Sequence, residues 1–421
     1  SDHHEWKTND DGSPKLPEAN AVVHPRLPGT TYANGNLCGA GVAFKLAWGT
    51  GQAISGQAKV CDALKAFLVE AMALAALGTI ADVVPLVGEN RILAYYGLGG
   101  LKQTKITGLL ALIESADLDG KNIDSYHVGF LLAPRLNAAG RMGHAALAAE
   151  MLTNASPERA LEIAEYLEQQ NRTRQATERA ILEQAIAQIG TLNLIEQDQR
   201  AIVVGAAGWH PGVIGIVASR IVDRFHRPAV VVGLGDEIGQ GSGRSIDGFH
   251  LSQALEKVSH TLVSHGGHEM AAGLKVLPSR FEEFREAFAA HANSALEPAA
   301  LVPELKLDCC VPLSQMCEAL ISDLDRLGPF GRGNPRPVLR CENLSLTAPP
   351  RRVGKTGDHL QLFLKQNGTT MKAIAFGAGN WGDKLTAGSV IHIAVQPQMN
   401  EYNGCRSVEL QVKDLQLAND E

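Results

Sequence analysis

The sequence predicts an α/β protein that ends in a small all-β domain, and three observations support this fold class. Residues 201–234 run from an apolar strand through a turn and a helix to a second apolar strand, which predicts a βαβ unit with parallel strands. After Leu327 the sequence changes to short β-like runs. The 421 residues, with a hydrophobic content of 45%, are enough for two or three domains.

The first third of the chain predicts a surface loop followed by buried helices. Residues 14–36 are rich in Pro, Gly and Asn, as exposed loops are. Residues 38–48 and 61–77 are apolar on most faces, which predicts two buried helices. We expect Gly78 to end the second helix. Residues 79–86 then predict a short buried strand or loop.

A long polar helix is predicted over residues 157–189. Ser156 is a suitable N-cap, and Pro157 suits the first helical position. A helix of this length exceeds the usual globular range, so we interpret it as a connector between domains.

The C-terminal segment predicts a small β-barrel or sandwich with a basic surface. Asn367 with Gly368, and Asn403 with Gly404, lie between apolar runs, as type I′ hairpin turns do. The whole chain has a net charge of -7, yet residues 332–413 hold eleven Lys and Arg against five Asp and Glu. One surface of this segment is therefore predicted to face an anionic partner.

Charge and cysteine patterns indicate a protein of the reducing cytoplasm. The most apolar stretch, residues 63–84, carries Lys65, Glu70 and Asp82, so no membrane span is predicted. Apart from the adjacent Cys309 and Cys310, the seven cysteines lack regular spacing, which argues against a disulfide scaffold and a zinc finger. The first residues lack the basic and apolar stretches of a signal peptide.

Two acidic positions and two histidines are candidates for metal chemistry. In an extended segment, Asp2, His3 and His4 would alternate between faces, so one His could bind a metal while the other faces a substrate. A surface His pair is the commoner explanation for such a tripeptide. Asp82 lies in an apolar stretch and needs a partner, either as a helix cap or as a metal ligand. His with carboxylate suits manganese or magnesium.

Several glycine-containing clusters are candidates for phosphate binding. Residues 134–141 offer two guanidinium groups and one amide, which suit phosphate oxygens. Residues 208–212 precede the helix of the βαβ unit, where backbone amides bind anions. Residues 241–245 and 264–268 would let the backbone approach a ligand while Ser, Arg or His supplies contacts. Each cluster alone is more often a turn than a site.

These motifs together resemble the DHH phosphoesterase superfamily and, within it, the RecJ family. The resemblance extends over essentially the whole chain. It rests on the initial Asp-His-His and on the segments 78–86 (GTIADVVPL), 135–141 (RLNAAGR), 169–172 (QQNR), 208–215 (GWHPGVIG), 266–273 (GGHEMAAG) and 328–331 (GPFG).

The resemblance implies a four-part organisation. Residues 1–150 would be the C-terminal part of a DHH phosphoesterase domain, and residues 151–195 a long connecting helix. Residues 196–300 would form an α/β DHH-associated domain, and residues 301–421 a linker and an OB-fold. The Asp-rich motifs that the family places before Asp-His-His are expected upstream of Ser1. The DHH domain and its two-metal site are therefore expected to be incomplete here, and this chain alone inactive.

The resemblance also implies roles for individual residues. His3 and Asp82 would bind the metal, Asp2 would orient its neighbours and His4 would contact the scissile phosphate, so that all four are catalytic. We expect His3 and Asp82 to converge on one metal site, because both lie beside apolar segments that predict neighbouring strands of one sheet. Contacts to substrate phosphates and to the cleft are implied for Arg135, Asn137, Arg141, His210, Ser242, Arg244, Gly267 and His268. Among these, Ser242 and Arg244 would hold the 5′-terminal phosphate. A nucleic-acid surface on the last domain is implied for Arg332, Arg351, Arg352 and Lys355.

The implied activity is Mn²⁺- or Mg²⁺-dependent degradation of single-stranded DNA from its 5′ end, in DNA repair and recombination. We expect a cytoplasmic monomer that does not associate with a membrane. Its expected partners include a single-strand binding protein and a helicase. Two alternatives stay open. One is a DHH-family phosphodiesterase of oligoribonucleotides or cyclic dinucleotides, which the basic β segment disfavours. The other is a non-catalytic single-strand-binding scaffold.

Overall fold

The computed structural model describes every residue except 5, 7, 8, 10, 12, 142–143, 196–198, 403–404 and 419–421, and it omits the side chains of residues 141, 401–402 and 405. The chain divides into two compact units. The first comprises Ser1–Lys105, Gly120–Leu131 and Leu305–Glu421, and the second comprises Ile106–Asp119 and Leu132–Glu304. The four-part division of the sequence stays a prediction.

The described residues form helices and strands in the following order. The helices are α1 (Gly39–Ser55), α2 (Asp62–Ala81), α3 (Gly88–Leu101), α4 (Thr107–Ser115), α5 (Ser125–His127), α6 (Ala133–Arg141), α7 (Ala145–Thr153), α8 (Pro157–Thr191), α9 (Pro211–Phe225), α10 (Leu251–Lys257), α11 (Phe281–Ala295) and α12 (Glu318–Asp325). The strands are β1 (Ile202–Ala207), β2 (Ala229–Leu234), β3 (Gly239–Arg244), β4 (Ser264–Gly267), β5 (Ala271–Val276), β6 (Cys309–Cys310), β7 (Leu339–Leu346), β8 (Arg351–Val353), β9 (His359–Gln366), β10 (Thr369–Ala375), β11 (Val390–Tyr402) and β12 (Cys405–Leu417).

In the first unit, α2 packs against α1 and α3, and its course corrects one expectation. Gly78 does not end α2, which continues to Ala81. A Cβ atom at Gly78 would lie 2.4 Å from the Cβ atom of Ala40, closer than real Cβ atoms come. The glycine is therefore explained by the close approach of α1, not by a helix end. Asp82 is the C-cap, and its N–H donates to the Gly78 carbonyl. Residues 79–81 are consequently helical, where a strand or loop was predicted.

Helix α2 also passes a length and composition test for a membrane span, and it is the one described helix that does. The absence of a membrane span stays a prediction, because the apolar run of α2 carries Lys65 and Glu70. The finding is weak evidence for a membrane, since core helices of soluble proteins pass the same test. In this chain α2 supplies Leu68 and Ala75 to a buried cluster with Val42 and Phe44 of α1.

The second unit contains the long helix and a five-stranded sheet. Helix α8 begins as predicted, with the Ser156 hydroxyl accepting from the Arg159 N–H and Pro157 in the first turn. The sheet order is β1-β2-β3-β5-β4. Strands β1 and β2 are parallel and joined by α9, so the predicted βαβ unit is confirmed.

Alternating side chains of β1 and β2 give this sheet two buried faces. Val203, Val230 and Val232 pack on the side of α10 and α11, including Phe284 and Phe288. The neighbouring strand positions pack on the opposite side against α8 and α9. The period of two along each strand thus builds a three-layered α/β arrangement.

The C-terminal strands form the predicted small β-barrel. Strands β7, β11, β12, β10 and β9 pair in that order, and a β7–β9 pairing closes the ring, as in an OB-fold. The β9–β10 turn has positive φ at Asn367 (46°) and Gly368 (87°), so the type I′ prediction is confirmed. Strands β11 and β12 also form a hairpin, whose turn at Asn403 and Gly404 lies outside the described residues.

Candidate active site

The Asp2 carboxylate organises the two histidines that follow it. Its Oδ1 accepts from the His3 N–H at 2.7 Å, from the His4 N–H at 3.3 Å and from His4 Nδ1 at 2.8 Å. The side-chain bond to His4 and the two backbone bonds hold the pKa of Asp2 well below its usual range. The two imidazole centroids lie 4.4 Å apart. The expectation of opposite faces was therefore wrong, because the carboxylate draws both residues around itself.

Asp82 joins this cluster from the end of α2. Its Oδ2 lies 3.6 Å from His3 Nε2, so the predicted convergence of these two residues is confirmed. The reason differs from the expected one, because Asp82 caps a helix and does not lie on a strand next to His3. Its side chain is also 42% exposed, against 19% for His3, so the predicted burial of this carboxylate was wrong.

The loop that follows Asp82 is fixed by bonds from several directions. Val83 has a φ of 57°, a left-handed value that is unfavourable for a β-branched residue. The fully buried Asn90 donates from Nδ2 to the Pro85 carbonyl at 3.0 Å and to the Asn36 carbonyl at 2.7 Å. The Leu86 N–H donates to the Arg332 carbonyl at 2.7 Å. Such a fixed loop can hold a carboxylate in one place.

The donor atoms of this cluster fit a hard divalent cation. One ligand atom from each of Asp2, His3 and His4 lies within 4.8 Å of the others, and the Asp82 oxygen lies next to His3. The carboxylate oxygens suit Mn²⁺ or Mg²⁺, and an added imidazole nitrogen is accepted more readily by Mn²⁺ than by Mg²⁺. His3 and Asp82 are the pair best placed to share one ion, since the His4 Nδ1 and Asp2 already bond each other.

In the second unit, Ser242 and Arg244 lie on one face of β3. This segment is a strand between β2 and β5, not a turn. Its glycines are required by packing, since a Cβ atom at Gly241 would lie 2.7 Å from Leu274. Arg244 Nη1 donates to Ser242 Oγ at 3.1 Å. A Cβ atom at Gly215 of α9 would lie 2.9 Å from that hydroxyl, so the two side chains face the first turns of α9.

His210 and Gly267, two other residues predicted to contact substrate, have structural roles in the same unit. His210 is the N-cap of α9, and its Nδ1 accepts from the Gly212 N–H at 3.1 Å. Gly267 has a φ of 151°, and a Cβ atom there would lie 2.4 Å from the Ala272 Cα across the hairpin. Its conformation therefore serves the β4–β5 pairing. The exposed His268 follows it in the turn.

The predicted phosphate contacts near α6 differ in their availability. Arg135 is 12% exposed, and its Nε lies 2.8 Å from Glu168 Oε2 of α8. It forms an internal ion pair and is not the open guanidinium fork that the sequence suggested. Asn137 is exposed. The side chain of Arg141 lies outside the described part of the chain.

Sequence reasoning missed a buried polar network between α8 and α9. Arg174 donates to Asn171 Oδ1 at 3.0 Å and to Glu178 Oε2 at 3.0 Å, and all three side chains are buried. Arg220 of α9 donates to the other Glu178 oxygen at 2.8 Å. The sequence signal for this network was the spacing of three and four residues between Asn171, Arg174 and Glu178. This spacing places the three side chains on one face of a helix.

The basic residues of the barrel are exposed but differ in their partners. Arg351 lies over the Phe363 ring at 5.4 Å, whereas Arg352 forms a 2.7 Å ion pair with Asp383. Lys355 is exposed near the edge strand β8, and Arg332 is exposed in the segment before β7.

Among the aromatic residues of the barrel, Phe376 is 54% exposed. This ring therefore lies outside the barrel core. Trp381, in contrast, is partly buried against the barrel core. Phe376 thus remains available to a ligand, while Trp381 serves mainly in packing.

Comparisons with known proteins agree with this architecture. A family model described as the DHHA1 domain matches residues 198–294, and one described as the RecJ OB domain matches residues 307–414. The single-stranded-DNA-specific exonuclease RecJ of Bacillus subtilis is 37% identical over 98% of this chain and 50% of its own length. The protein of the same name from Salmonella typhimurium is 33% identical over 95% of this chain and 70% of its own length.

Solved structures give the same result. RecJ from Thermus thermophilus in complex with Mn²⁺ matches with a TM-score of 0.81 at 31% identity, over 96% of this chain and 56% of that one. Its complex with Mg²⁺ matches with a TM-score of 0.76 at 32% identity, over 90% of this chain and 56% of that one. This chain spans 50% and 70% of the two curated relatives. From these matches, the chain belongs to the RecJ family.

Proposed function

We propose that the protein takes part in hydrolysing the phosphodiester bonds of single-stranded DNA from its 5′ end, with Mn²⁺ or Mg²⁺, in DNA repair and recombination. The convergence of His3 and Asp82 at 3.6 Å, beside the bonded Asp2–His4 pair, carries the proposal. The names of the relatives support the substrate, and the two metal complexes of the Thermus protein support the choice of ion.

The hydrogen bonds in the first unit indicate a different role for each residue of the candidate site. His3 and Asp82 would hold the cation, which when bound neutralises phosphate charge and lowers the pKa of a bound water. The His4 Nδ1 donates to Asp2, and Nε2 would donate to an oxygen of the scissile phosphate when both ring nitrogens carry a proton. Asp2 would thereby set the tautomer and orientation of His4, as carboxylates commonly do for catalytic imidazoles.

The second unit would recognise the end of the strand. Ser242 and Arg244 offer a hydroxyl and a guanidinium on one strand face, beside the first turns of α9. A terminal phosphate carries more negative charge than an internal one, so a guanidinium distinguishes the two by charge. His210, Gly267 and His268 would line the same substrate path, and Asn137 and Arg141 would contact DNA phosphates. Arg135 could do so only by exchanging Glu168 for phosphate.

The barrel would bind the strand beyond the cleaved end. Arg332, Arg351, Arg352 and Lys355 would contact phosphates, and the exposed Phe376 would stack on a base. We further propose a cytoplasmic monomer, with a single-strand binding protein and a helicase as partners.

The test follows nucleotide release from single-stranded DNA by the purified full-length protein with Mn²⁺, in parallel with strand binding. We expect His4→Ala to lower kcat by at least about a hundredfold, the usual cost of losing a hydrogen-bond donor to developing charge, with little change in strand affinity. His144→Ala, a substitution in the second unit, is the control. Cleavage of cyclic dinucleotides but not of strands would favour the small-substrate alternative. Strand binding without any Mn²⁺-dependent cleavage would favour the scaffold.

A further inference from the structure

Residues 23–26 hold the backbone of the Asp-His-His segment. The Asp2 N–H donates to the Val23 carbonyl at 3.3 Å. His24 Nε2 lies 2.9 Å from the His4 carbonyl, and Arg26 Nη2 donates to the His3 carbonyl at 2.9 Å. Both carbonyl groups of the histidine pair are thus bonded by side chains from one short segment.

The hydrogen bonds of His24 define a single tautomer. A carbonyl oxygen can only accept, so Nε2 carries the proton that goes to His4. The Arg26 N–H donates to Nδ1 at 3.0 Å, so that nitrogen carries no proton. The ring is only 9% exposed and lies against Trp6, with centroids 4.5 Å apart. A buried ring with both nitrogens bonded has one orientation. Its Nε2 therefore holds the His4 carbonyl in one position.

The opposite side of the same peptide groups is bonded by Asp2. Its carboxylate accepts the amides of His3 and His4, while His24 and Arg26 donate to their carbonyls. The peptide planes of the pair are therefore held from both sides, although the His4 side chain itself is largely exposed. Displacements of about 1 Å at a catalytic group are enough to cost a hundredfold in rate.

We infer that His24 and Arg26 are positioning residues that fix the main chain of His3 and His4, so that these imidazoles keep their places relative to Asp82. The expected effect on catalysis rests on the proposed function, whereas the positioning of the main chain does not. Neither side chain bonds an imidazole of the pair in the described structure, and both act through the two carbonyl oxygens.

The test compares His24→Leu with His24→Gln, which can keep a donor near the position of Nε2. Three quantities are measured: the His4 tautomer by ¹H–¹⁵N NMR at alkaline pH, the Kd for Mn²⁺ by electron paramagnetic resonance, and kcat on single strands. For His24→Leu we expect mixed His4 tautomers, a Kd raised about ten- to a hundredfold and a lower kcat. His24→Gln should recover much of each. Arg26→Ala should raise the Kd in the same direction.

His392→Leu is the matched control, because His392 is a buried histidine of the barrel whose Nδ1 also accepts from a backbone N–H. It should lower the thermal stability without changing the His4 tautomer or the Kd. The inference is overturned if His24→Leu behaves like this control. If the unsubstituted protein binds no Mn²⁺ but His24→Leu still mixes the His4 tautomers, the metal function fails and the positioning role stands.

Discussion

The charge pattern at the edge strand of the barrel leads to a prediction about salt dependence. Arg351 has no carboxylate partner among the described ion pairs and lies over Phe363, whereas the Arg352 guanidinium lies 2.7 Å from Asp383. If this surface binds single strands, Arg351 should release a counterion on binding, while much of the charge of Arg352 is already compensated. Arg351→Gln should therefore change the salt dependence more than Arg352→Gln does.

The magnitude follows from counterion release. Each phosphate contact to a single strand contributes a slope of about −0.7 to a plot of log K against log salt concentration. One contact therefore changes the affinity about fivefold for a tenfold change in salt. We expect Arg351→Gln to flatten the slope by about 0.7, and Arg352→Gln by less than half of that. Asp383→Asn should steepen the slope, because it frees Arg352 from an exposed ion pair that is worth at most about 1 kcal/mol.

Fluorescence anisotropy with a labelled oligothymidylate, over a series of KCl concentrations and with a chelator to prevent cleavage, measures these slopes. Lys59→Gln, in the loop between α1 and α2, removes the same charge from a residue that is not part of the barrel and should leave the slope unchanged. Equal slopes for the unsubstituted, Arg351→Gln and Asp383→Asn proteins would refute the assignment of this edge to DNA. Weaker binding by Asp383→Asn would refute the compensation argument.

Three further predictions concern stability and reactivity. Gly78→Val should lower the free energy of unfolding by about 1–3 kcal/mol in urea titrations, because α1 leaves no room for a side chain, while Gly99→Ala, with open space around it, should be neutral or stabilising. Asn90→Ala should cost about 1–3 kcal/mol in the same titrations, since the buried Asn90 amide loses its bonds to the Asn36 and Pro85 carbonyls. Burial raises the pKa of Cys341 to about 12, so iodoacetamide at neutral pH should not label it in the folded protein. The same reagent should label the exposed Cys61, Cys309, Cys310 and Cys317, and mass spectrometry can compare the two groups.

Elements specified by nearby residues could be predicted from the sequence. Ser156 and Pro157 mark the start of α8 because cap and first-turn preferences are local. Asn367 and Gly368 mark a hairpin because both adopt positive φ at little cost. Gly78 was misinterpreted because its reason is tertiary: the contact with Ala40 is made by a helix almost forty residues earlier, and no local pattern records it.

The candidate site was predictable in its members but not in its geometry. The resemblance identified His3 and Asp82, and the neighbouring apolar segments predicted adjacent strands for them. In the structure, Asp82 instead lies at the C-terminal end of α2. Arg135 was expected at a phosphate because Arg-rich segments favour anions. Its partner Glu168 lies on another helix, and sequence separation hides such ion pairs.

The two proposed metal ligands share one structural principle, which the sequence did not reveal. The side chains of Asp82 and His3 face each other at 3.6 Å. Each lies in or beside a segment whose backbone is bonded by a buried polar side chain, Asn90 for the loop after Asp82 and His24 for the histidine pair. A ligand bonded through its own side chain would have to exchange that bond for the cation. A ligand placed through its backbone is preorganised without that exchange. The strained φ of Val83 fits the same principle, since unfavourable conformations persist where surrounding bonds determine them.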